Sequence, residues 1–452
     1  MIDTLIPQIW DYFKDVYGYE ANSSKDLFET QRSLLEFVMV IGRGLEKSLF
    51  DEIGTGYEGR VVAKEGKRFE FKGNRGQGIH GLFGIIEYSR AYYTCSEGGG
   101  SYIPLDEKLG IEKKHTPGFN YFLSSFTGQG VYQKSLKRFH EIFRPDGKDL
   151  TSMRKVLDMD YELGLRLEEV KQQEIERVYE KGEGVEKDNV IEGPMAVSID
   201  ATKVREKLGE EVTSGGRKKY EMGFKDAKVT AVSEVVWEKK RKEPKSINHS
   251  YVSAEEHADD FFKRIWVEMN RRSYDIHHQF IVFLGDGAEW IWNRVGDLAN
   301  ERSVFILDFY HACGRLSEIC KELYGEQTKE YWEYFKGWQN LFYKGKVQRV
   351  IDKLRQIMAN TRSQSTLEAL LGGIKYFEDN KERMHYEKYR RMKLPIGSGT
   401  VESACKNVIG GRLKGGGMTW SPSGADGMLQ IRCSLESDRF YKEFKQTLRM
   451  AS

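Results

Sequence analysis

Three short apolar runs, separated by segments of helical pattern, constrain the fold of this chain more than any other feature. They span residues 195–200, 280–286 and 303–307 and are rich in Val, Ile, Leu and Phe. Runs of this length and composition are typical of strands buried within a sheet. Between the first two runs, residues 253–273 carry apolar side chains at helical spacing. The alternation predicts an α/β fold, with a mixed sheet and helices on its faces.

The other segments differ in pattern. Residues 3–50 are helical in pattern, and residues 51–105 are Gly-rich with short strands. Helices are predicted at 117–126, 131–143 and 149–180, the last capped by Asp149 or Thr151. Two short helices followed by a longer one fit a helix-turn-helix DNA-binding region, and equally a helical connector. Further helices are predicted at 287–298, over 309–378, near Gly399 and at 422–447.

Two of the apolar runs end in an acid, Asp200 and Asp286. Asp is a poor strand former, so its place there calls for a reason. One reason is a turn or helix N-cap, which suits Asp286 before Gly287. The other is a site at the sheet rim, where strand ends meet in open α/β folds. Glu402 follows a Gly/Ser-rich loop in the first turns of a helix, where it could also favour the helix dipole or pair with Lys406.

Taken together, the three acids suit a site for two Mg²⁺ or Mn²⁺ ions. Such hard cations prefer carboxylate oxygen as a ligand. Two ions ~3.5–4 Å apart can activate a water or a 3′-hydroxyl and stabilise the leaving oxygen. Three carboxylates also offset the charge of two dications. We therefore predict Asp200, Asp286 and Glu402 as metal ligands and catalytic residues.

Composition and sequence pattern indicate the number of domains and the cell compartment of the protein. The 452 residues are 39% hydrophobic and 31% charged, enough to bury a core in two or three domains. The longest apolar run near the start, residues 34–41, is too short to cross a bilayer, and the first twenty residues lack a signal-peptide pattern. Five scattered Cys form no C-x-x-C pair, which suits a reducing cytoplasm. We expect a cytoplasmic protein with no membrane contact.

Four motifs carry a family resemblance: Ser198–Thr202, Leu284–Trp292, Leu307–His311 and Pro395–Ser403. Together they resemble a bacterial insertion-sequence DDE transposase, most closely of the ISKra-type group, and more distantly the Mutator-like and hAT classes. The resemblance spans about residues 100–440 and is most specific over residues 411–420. It implies a ribonuclease-H-like catalytic core at 190–310 and 394–452, a helical insertion at 311–393, a helical DNA-binding region at 111–185 and a helical, strand-rich module at 1–110.

The resemblance also implies residue roles. Asp200 would lie on the first strand of the core, Asp286 after the fourth, and Glu402 on the helix after the insertion. Asp308 and His311 resemble an element near the active site, so His311 would position a scissile phosphate or a catalytic Asp. The alternative is a strand-end cap followed by an ordinary helical His. Relatives often carry a Cys-rich zinc module, but only Cys95 precedes residue 104 here, and zinc needs about four ligands, which argues against zinc.

A transposase must hold DNA through its phosphates, which calls for Lys and Arg. The net charge of +2 neither indicates nor excludes DNA binding. Residues 381–452, however, hold 14 Lys and Arg against 7 Asp and Glu. Six basic residues flank Glu402 and are predicted to contact DNA, although a solvated helix face is the plainer alternative. They are Arg390, Arg391, Lys393, Lys406, Arg412 and Lys414.

The expected function is a DNA transposase that binds element ends and performs metal-dependent strand cleavage and transfer. Its partners would be double-stranded terminal repeats and target DNA, at the bacterial nucleoid. It would act as a homodimer or larger assembly, formed in solution or only on DNA. Two alternatives stay open: an inactive transposase-derived DNA-binding protein, and a ribonuclease-H-like nuclease that cuts without joining. The complete set of three acids argues against the first alternative.

Overall fold

The computed structural model describes residues 2–96, 98, 100–144, 147, 151–214, 217–397 and 399–450. The chain divides into two compact units, Met1–Leu167 with Phe440–Ser452, and Glu168–Arg439. The finer division into four parts stays a prediction. Asp149, one of the two predicted caps, lies outside the described residues, as does Ser398 in the fourth sequence motif.

The elements are numbered here in chain order. The helices are α1 (Ile2–Tyr17), α2 (Ser24–Ile53), α3 (Pro104–Lys108), α4 (Pro117–Gln129), α5 (Tyr132–Phe143), α6 (Met153–Ile175), α7 (Ala258–Arg272), α8 (Glu289–Trp292), α9 (Phe309–Tyr324), α10 (Lys329–Tyr343), α11 (Val347–Ala359), α12 (Gln364–Asn380), α13 (Tyr386–Arg391), α14 (Gly399–Ala404), α15 (Gly411–Leu413), α16 (Pro422–Glu436) and α17 (Phe440–Met450). The strands are β1 (Val61–Lys64), β2 (Lys67–Gly81), β3 (Gly84–Cys95), β4 (Ser101–Tyr102), β5 (Met195–Ser214), β6 (Arg217–Glu238), β7 (Glu243–Ala254), β8 (Ile281–Gly285) and β9 (Val304–Leu307). Short π-helical turns cover Glu176–Glu180 and Cys405–Gly410, and 3₁₀ turns cover Val295–Leu298 and Lys381–Arg383.

The first unit combines an antiparallel sheet, β1 to β4 in chain order, with helices. Helix α4 begins where the sequence directs, because the Thr116 hydroxyl accepts from the Phe119 N–H and Pro117 takes the first helical position. The predicted helices at 117–126 and 131–143 are confirmed as α4 and α5. The hydroxyl of Ser152 accepts from the Lys155 N–H at the start of α6, in place of Thr151. Whether these helices bind DNA stays a prediction.

The second unit is built on a five-stranded mixed sheet in the order β7-β6-β5-β8-β9. Strands β5, β6 and β7 are antiparallel neighbours, whereas β8 and β9 run parallel to β5. Strand β8 is buried along its whole length, as its apolar run predicts. One face of the sheet packs on α7 through Phe261 and Ile265, and the other packs on α9 to α13 through residues such as Leu316. The predicted α/β fold class is confirmed.

Within residues 195–298, three details of the sequence interpretation are wrong. The first strand does not end at Asp200, because β5 continues to Ser214 and pairs with β6 over this length. Residues 243–254 form strand β7, so the helix predicted from 253 begins only at Ala258. The helix predicted at 287–298 consists of the four-residue α8 and a 3₁₀ turn. Beyond Asp200, strand β5 carries the consecutive charged residues Arg205, Glu206 and Lys207, and this run hid the strand because Glu206 is buried.

The buried acid Glu206 faces a second buried acid, Glu255, which follows β7. Burial raises the pKa of Glu255 to about 9, together with the hydrogen bond and charge of Glu206. Lys225 approaches Glu255 only to 3.8 Å, and its own side chain is largely exposed. The folded chain therefore retains a proton on this pair at neutral pH.

Replacing Glu255 by Gln is expected to raise the melting temperature at pH 8 and to flatten its dependence on pH. The pKa of Glu255 in the folded chain lies above its ordinary value of 4.5. The bound proton therefore stabilises the fold fully below pH 4.5, and this stabilisation is lost as the pH rises toward 9. Thermal unfolding between about pH 5 and pH 9 measures the effect, which we expect to be about 3 °C or more at pH 8. Glu243→Gln, an exposed acid on β7, is the matched control; a Glu255 variant less stable than wild type at pH 8 would contradict the assignment.

Candidate active site

Asp200 on β5 and Asp286, directly after the parallel strand β8, occupy neighbouring positions. The register of β5 and β8 pairs Ile199 with Gly285, so the next residue of each strand is one of the two acids. Neighbouring strands lie about 4.8 Å apart. Burial raises the pKa of Asp200, and the charge of Asp286 raises it further. Within the described parts of the chain, no Lys or Arg forms an ion pair with either acid.

Each of the two carboxylates is oriented but keeps free acceptor capacity. The Asp200 Oδ1 accepts from the Ala201 N–H at 2.7 Å, and its Oδ2 accepts from the Cys405 thiol at 3.4 Å. The Asp286 Oδ1 accepts from the Ala288 N–H at 3.0 Å. The Trp292 indole donates to the Asp286 carbonyl at 2.6 Å and holds its backbone. Because a carboxylate offers about four lone-pair sites, both acids have oxygens left for a ligand.

Glu402 lies on α14, which packs against β5 and β6. Its side chain is exposed, and it precedes Cys405 by about one helical turn. Burial raises the pKa of the Cys405 thiol, and the charges of Asp200 and Glu402 raise it further. The thiol therefore stays protonated and lies within reach of the charges of both acids. Glu402 is thus on the same side of the sheet as Asp200.

Asp308 and His311 stand at the start of α9. The Asp308 carboxylate accepts from the His311 N–H at 2.7 Å. Asp308 is therefore the helix cap that was predicted as the alternative to a role in the active site. The His311 ring is exposed, and its charge lowers the pKa of Asp200. The Phe309 N–H donates to the Ile396 carbonyl, which fastens the loop before α14 to this helix start. His311 is therefore near the two acids and open to a ligand.

A groove of about 800 Å³ opens beside Asp286, between the loop after β8 and helices α9 and α12. Tyr376 of α12 lies on the backbone of Gly287, where a Cβ atom would approach its ring to 2.0 Å. Only Gly therefore permits this contact directly after Asp286. Burial raises the pKa of Tyr376, and the charge of Asp286 raises it further. The groove is also lined by His311 and by three basic residues, Arg315, Lys375 and Arg383.

Two of the six predicted DNA-contacting residues lie beside the acids. Lys414 donates to the hydroxyl of Thr202, two residues along β5 from Asp200. Lys406 is exposed on the turn that follows Glu402. Both ammonium groups are open to a phosphate placed at this edge of the sheet.

The other four are placed differently. Arg412 is only 1% exposed and lies over the Trp420 ring at 4.8 Å, so this structure gives its guanidinium no access to a phosphate. The remaining three each engage a neighbour of their own: Arg390 over the Tyr343 ring at 3.5 Å, Arg391 with Glu387 at 2.7 Å, and Lys393 over the Trp237 ring at 5.2 Å. The basic cluster read from the sequence is therefore not one surface.

Sequence reasoning missed Cys405, Trp292 in its hydrogen-bonding role, and Tyr376. One signal was present, because Cys405 follows Glu402 by three residues, and residues three apart share a helix face. No local sequence pattern marks Tyr376 as a residue of the site, since it lies 90 residues beyond Asp286 in the chain. Its role arises only from the packing of α12 on the loop after β8.

Comparison with known proteins adds no identification, since no family model and no curated protein matches the chain. No helix of the described chain combines the length and apolar character needed to cross a membrane.

The acids of the site offer carboxylate oxygens, which are the kind of ligand atom that Mg²⁺ and Mn²⁺ prefer. In the described residues, no three His, Cys, Asp or Glu side chains form a group that holds a metal ion by themselves. Mg²⁺, however, usually keeps several waters and is bound by one or two carboxylates together with substrate phosphates. Asp200 and Asp286 supply two adjacent carboxylates, and the protonated Cys405 thiol is a poor competitor as a ligand. That Asp200, Asp286 and Glu402 together hold these ions stays a prediction.

Proposed function

We propose that this protein is a DNA transposase of the DDE class, with a ribonuclease-H-like core formed by β5 to β9. The order of the acids supports this: Asp200 is on the first strand of the five-stranded sheet, Asp286 follows the fourth, and Glu402 is on a helix beyond the helical segment α9 to α13. This is the arrangement that the family resemblance implies. Cleavage of DNA strands at element ends and their transfer to a target is the proposed activity.

The observation that carries the proposal is the adjacency of Asp200 and Asp286. Two carboxylates on neighbouring strands repel each other, and burial makes the repulsion stronger. A fold gains nothing from this arrangement by itself. It becomes favourable when a divalent cation binds between the two groups, because the cation removes the repulsion.

Different residues of the chain would position the aspartates, the phosphate and the DNA strand. Bound divalent cations would activate the attacking oxygen and stabilise the leaving one. Ala201, Ala288 and Trp292 fix the two aspartates through their hydrogen bonds. His311 and Lys414 present donors near Asp200, where they would hold the phosphate that is cut. The groove beside Asp286 would receive the DNA strand end.

The partners follow from this activity. The substrate is double-stranded DNA, both the terminal repeats of the element and the target. Two ends must be brought together, so we propose a homodimer or larger assembly on DNA. The protein would act in the bacterial cytoplasm, at the nucleoid.

A cleavage assay tests the proposal. The full chain would be incubated with labelled duplexes that carry the DNA flanking its own gene, with Mg²⁺, with Mn²⁺ or with EDTA. We expect a nick with a 3′-hydroxyl end that needs the metal and a correct end sequence. Binding of the duplex without any nick would favour the inactive DNA-binding alternative, and nicking of any duplex regardless of sequence would favour a nuclease without joining activity.

A further inference from the structure

Strands β5 and β6 extend beyond the rest of the sheet as a two-stranded ribbon. The last pair between β5 and β8 is Ile199 with Gly285, and the last pair between β6 and β7 is Lys228 with Ala254. Pairing of β5 with β6 nevertheless continues through Leu208 with Glu221 and beyond. From Thr202 of β5 and Ala227 of β6 onward, the ribbon is therefore free of β8 and β7.

One face of this ribbon is buried. Val204 and Glu206 are both fully buried, on the side where α14 and α16 pack against β5. The chain at Trp420 also adds to the edge of β5, since its N–H donates to the Arg205 carbonyl and its carbonyl accepts from the Lys207 N–H. These contacts fasten the described part of the ribbon to the second unit and fix which face it exposes.

The opposite face is basic and partly apolar. Lys203, Arg205 and Lys207 alternate with the buried residues of β5, and in register beside the last two are Phe224 and Met222 of β6. Lys203 and Arg205 are exposed, and Phe224 and Met222 are exposed by 65% and 39%. We call these five residues the basic ribbon face. It was not among the surfaces predicted from the sequence.

The basic ribbon face carries more positive than negative charge. Among the described residues, Lys203, Arg205 and Lys207 form no ion pair, and Lys207 lies instead over the Tyr220 ring at 4.4 Å. One acid, Asp226, pairs in register with Lys203 on this face. Successive cations lie about 6.8 Å apart, since each residue of an antiparallel strand advances about 3.4 Å. A row of positive charge with this spacing is complementary to a regular polyanion.

We propose that the basic ribbon face binds duplex DNA, with its three cations on phosphates and Phe224 against the groove wall. The major groove of B-DNA admits a two-stranded ribbon, and several DNA-binding proteins dock strands in this way. A duplex fits better than a single strand, because the described residues of this face offer one strongly exposed ring for stacking, whereas single-strand sites use several. This inference rests on the proposed function and adds a second DNA contact, which begins three residues beyond Asp200 on the same strand.

The test compares two triple variants of the full chain. In the first, Lys203, Arg205 and Lys207 are replaced by Ala; in the control, the exposed residues Lys344, Arg349 and Lys353 of the α10–α11 region are replaced by Ala. Fluorescence anisotropy with a labelled duplex of about 30 base pairs gives Kd over a range of KCl concentrations. The ribbon variant is expected to bind at least about tenfold more weakly, and the slope of log Kd against log salt should fall by about 2 to 3.

The outcomes separate this inference from the proposed function. Wild-type binding that both triple variants retain, with the same salt slope, would overturn the ribbon site and leave the transposase proposal intact. Absence of duplex binding by the wild type would overturn both. A ribbon variant impaired only on single-stranded DNA would also overturn the duplex assignment. Lys203→Arg with Lys207→Arg keeps the charge and should bind as wild type does, which excludes misfolding as the cause of the loss.

Discussion

Replacing Asp286 by Asn is expected to lower the rate of DNA strand cleavage by about a thousandfold or more. Asn keeps the size of the side chain and an oxygen that can accept from the Ala288 N–H, but it removes the charge. A metal ion contributes several kcal/mol to the transition state of such a reaction, and about 4 kcal/mol corresponds to a factor of a thousand. Single-turnover cleavage of a labelled element end measures the rate.

The matched control for this variant is Asp297→Asn. Asp297 is an exposed acid in the 3₁₀ turn that follows α8, and its contacts are to Arg294. Its replacement should leave cleavage within about twofold of wild type, because exposed ion pairs contribute little. If Asp286→Asn cleaved DNA as fast as the control, Asp286 would not be part of the catalytic machinery.

Replacing Glu268 by Gln is expected to lower the melting temperature of the protein by about 10 °C. Glu268 is buried on α7 and accepts a bidentate pair of hydrogen bonds from Arg439, at 2.8 and 2.9 Å. Arg271, also buried, adds its charge. Removing one partner of a buried ion pair typically destabilises a fold by about 3–5 kcal/mol, because the other charge stays buried without compensation. Scanning calorimetry measures the change.

The pH dependence gives this prediction a second readout. Burial alone would raise the pKa of Glu268, but the charges of Arg439 and Arg271 outweigh it and hold the pKa at about 2. The stabilisation that ionised Glu268 contributes to the fold is therefore present above pH 4.5, its ordinary pKa, and is lost as the pH falls toward 2. The gap in melting temperature between wild type and variant should close over that range. Asp260→Asn, an exposed acid on the same helix, should change stability by less than about 0.5 kcal/mol, and an equal effect of both variants would contradict the account.

The sequence indicated the centre of the second unit well. The runs ending at Asp200 and Asp286 are mostly apolar, and that pattern suffices to predict buried strands with acids at a shared edge. The strands β5, β8 and β9 were predicted for this physical reason. Their pairing order was not predicted, because it depends on contacts between residues far apart in the chain.

Long-range packing decides what the sequence did not reveal. Strand β7 and the far half of β5 carry charged residues that a local pattern assigns to loops, although Glu206 is buried there against Glu255. Arg412 has the charge of a DNA contact, but Trp420 covers it. Tyr376 joins the site only because Gly287 leaves room for its ring. Each case requires the position of an element that is distant in sequence.

A strand-transfer assay tests the central claim most directly. The full chain would be mixed with precleaved ends of its own element, a supercoiled target plasmid and Mg²⁺ or Mn²⁺, and compared with Asp200→Asn, Asp286→Asn and Glu402→Gln. The account predicts joined products with the wild type and none with any of the three variants, while all four proteins still bind the ends. Joined products that persist in a variant would remove that acid from the proposed site, and ends bound by all four proteins without any joining would contradict the transposase assignment.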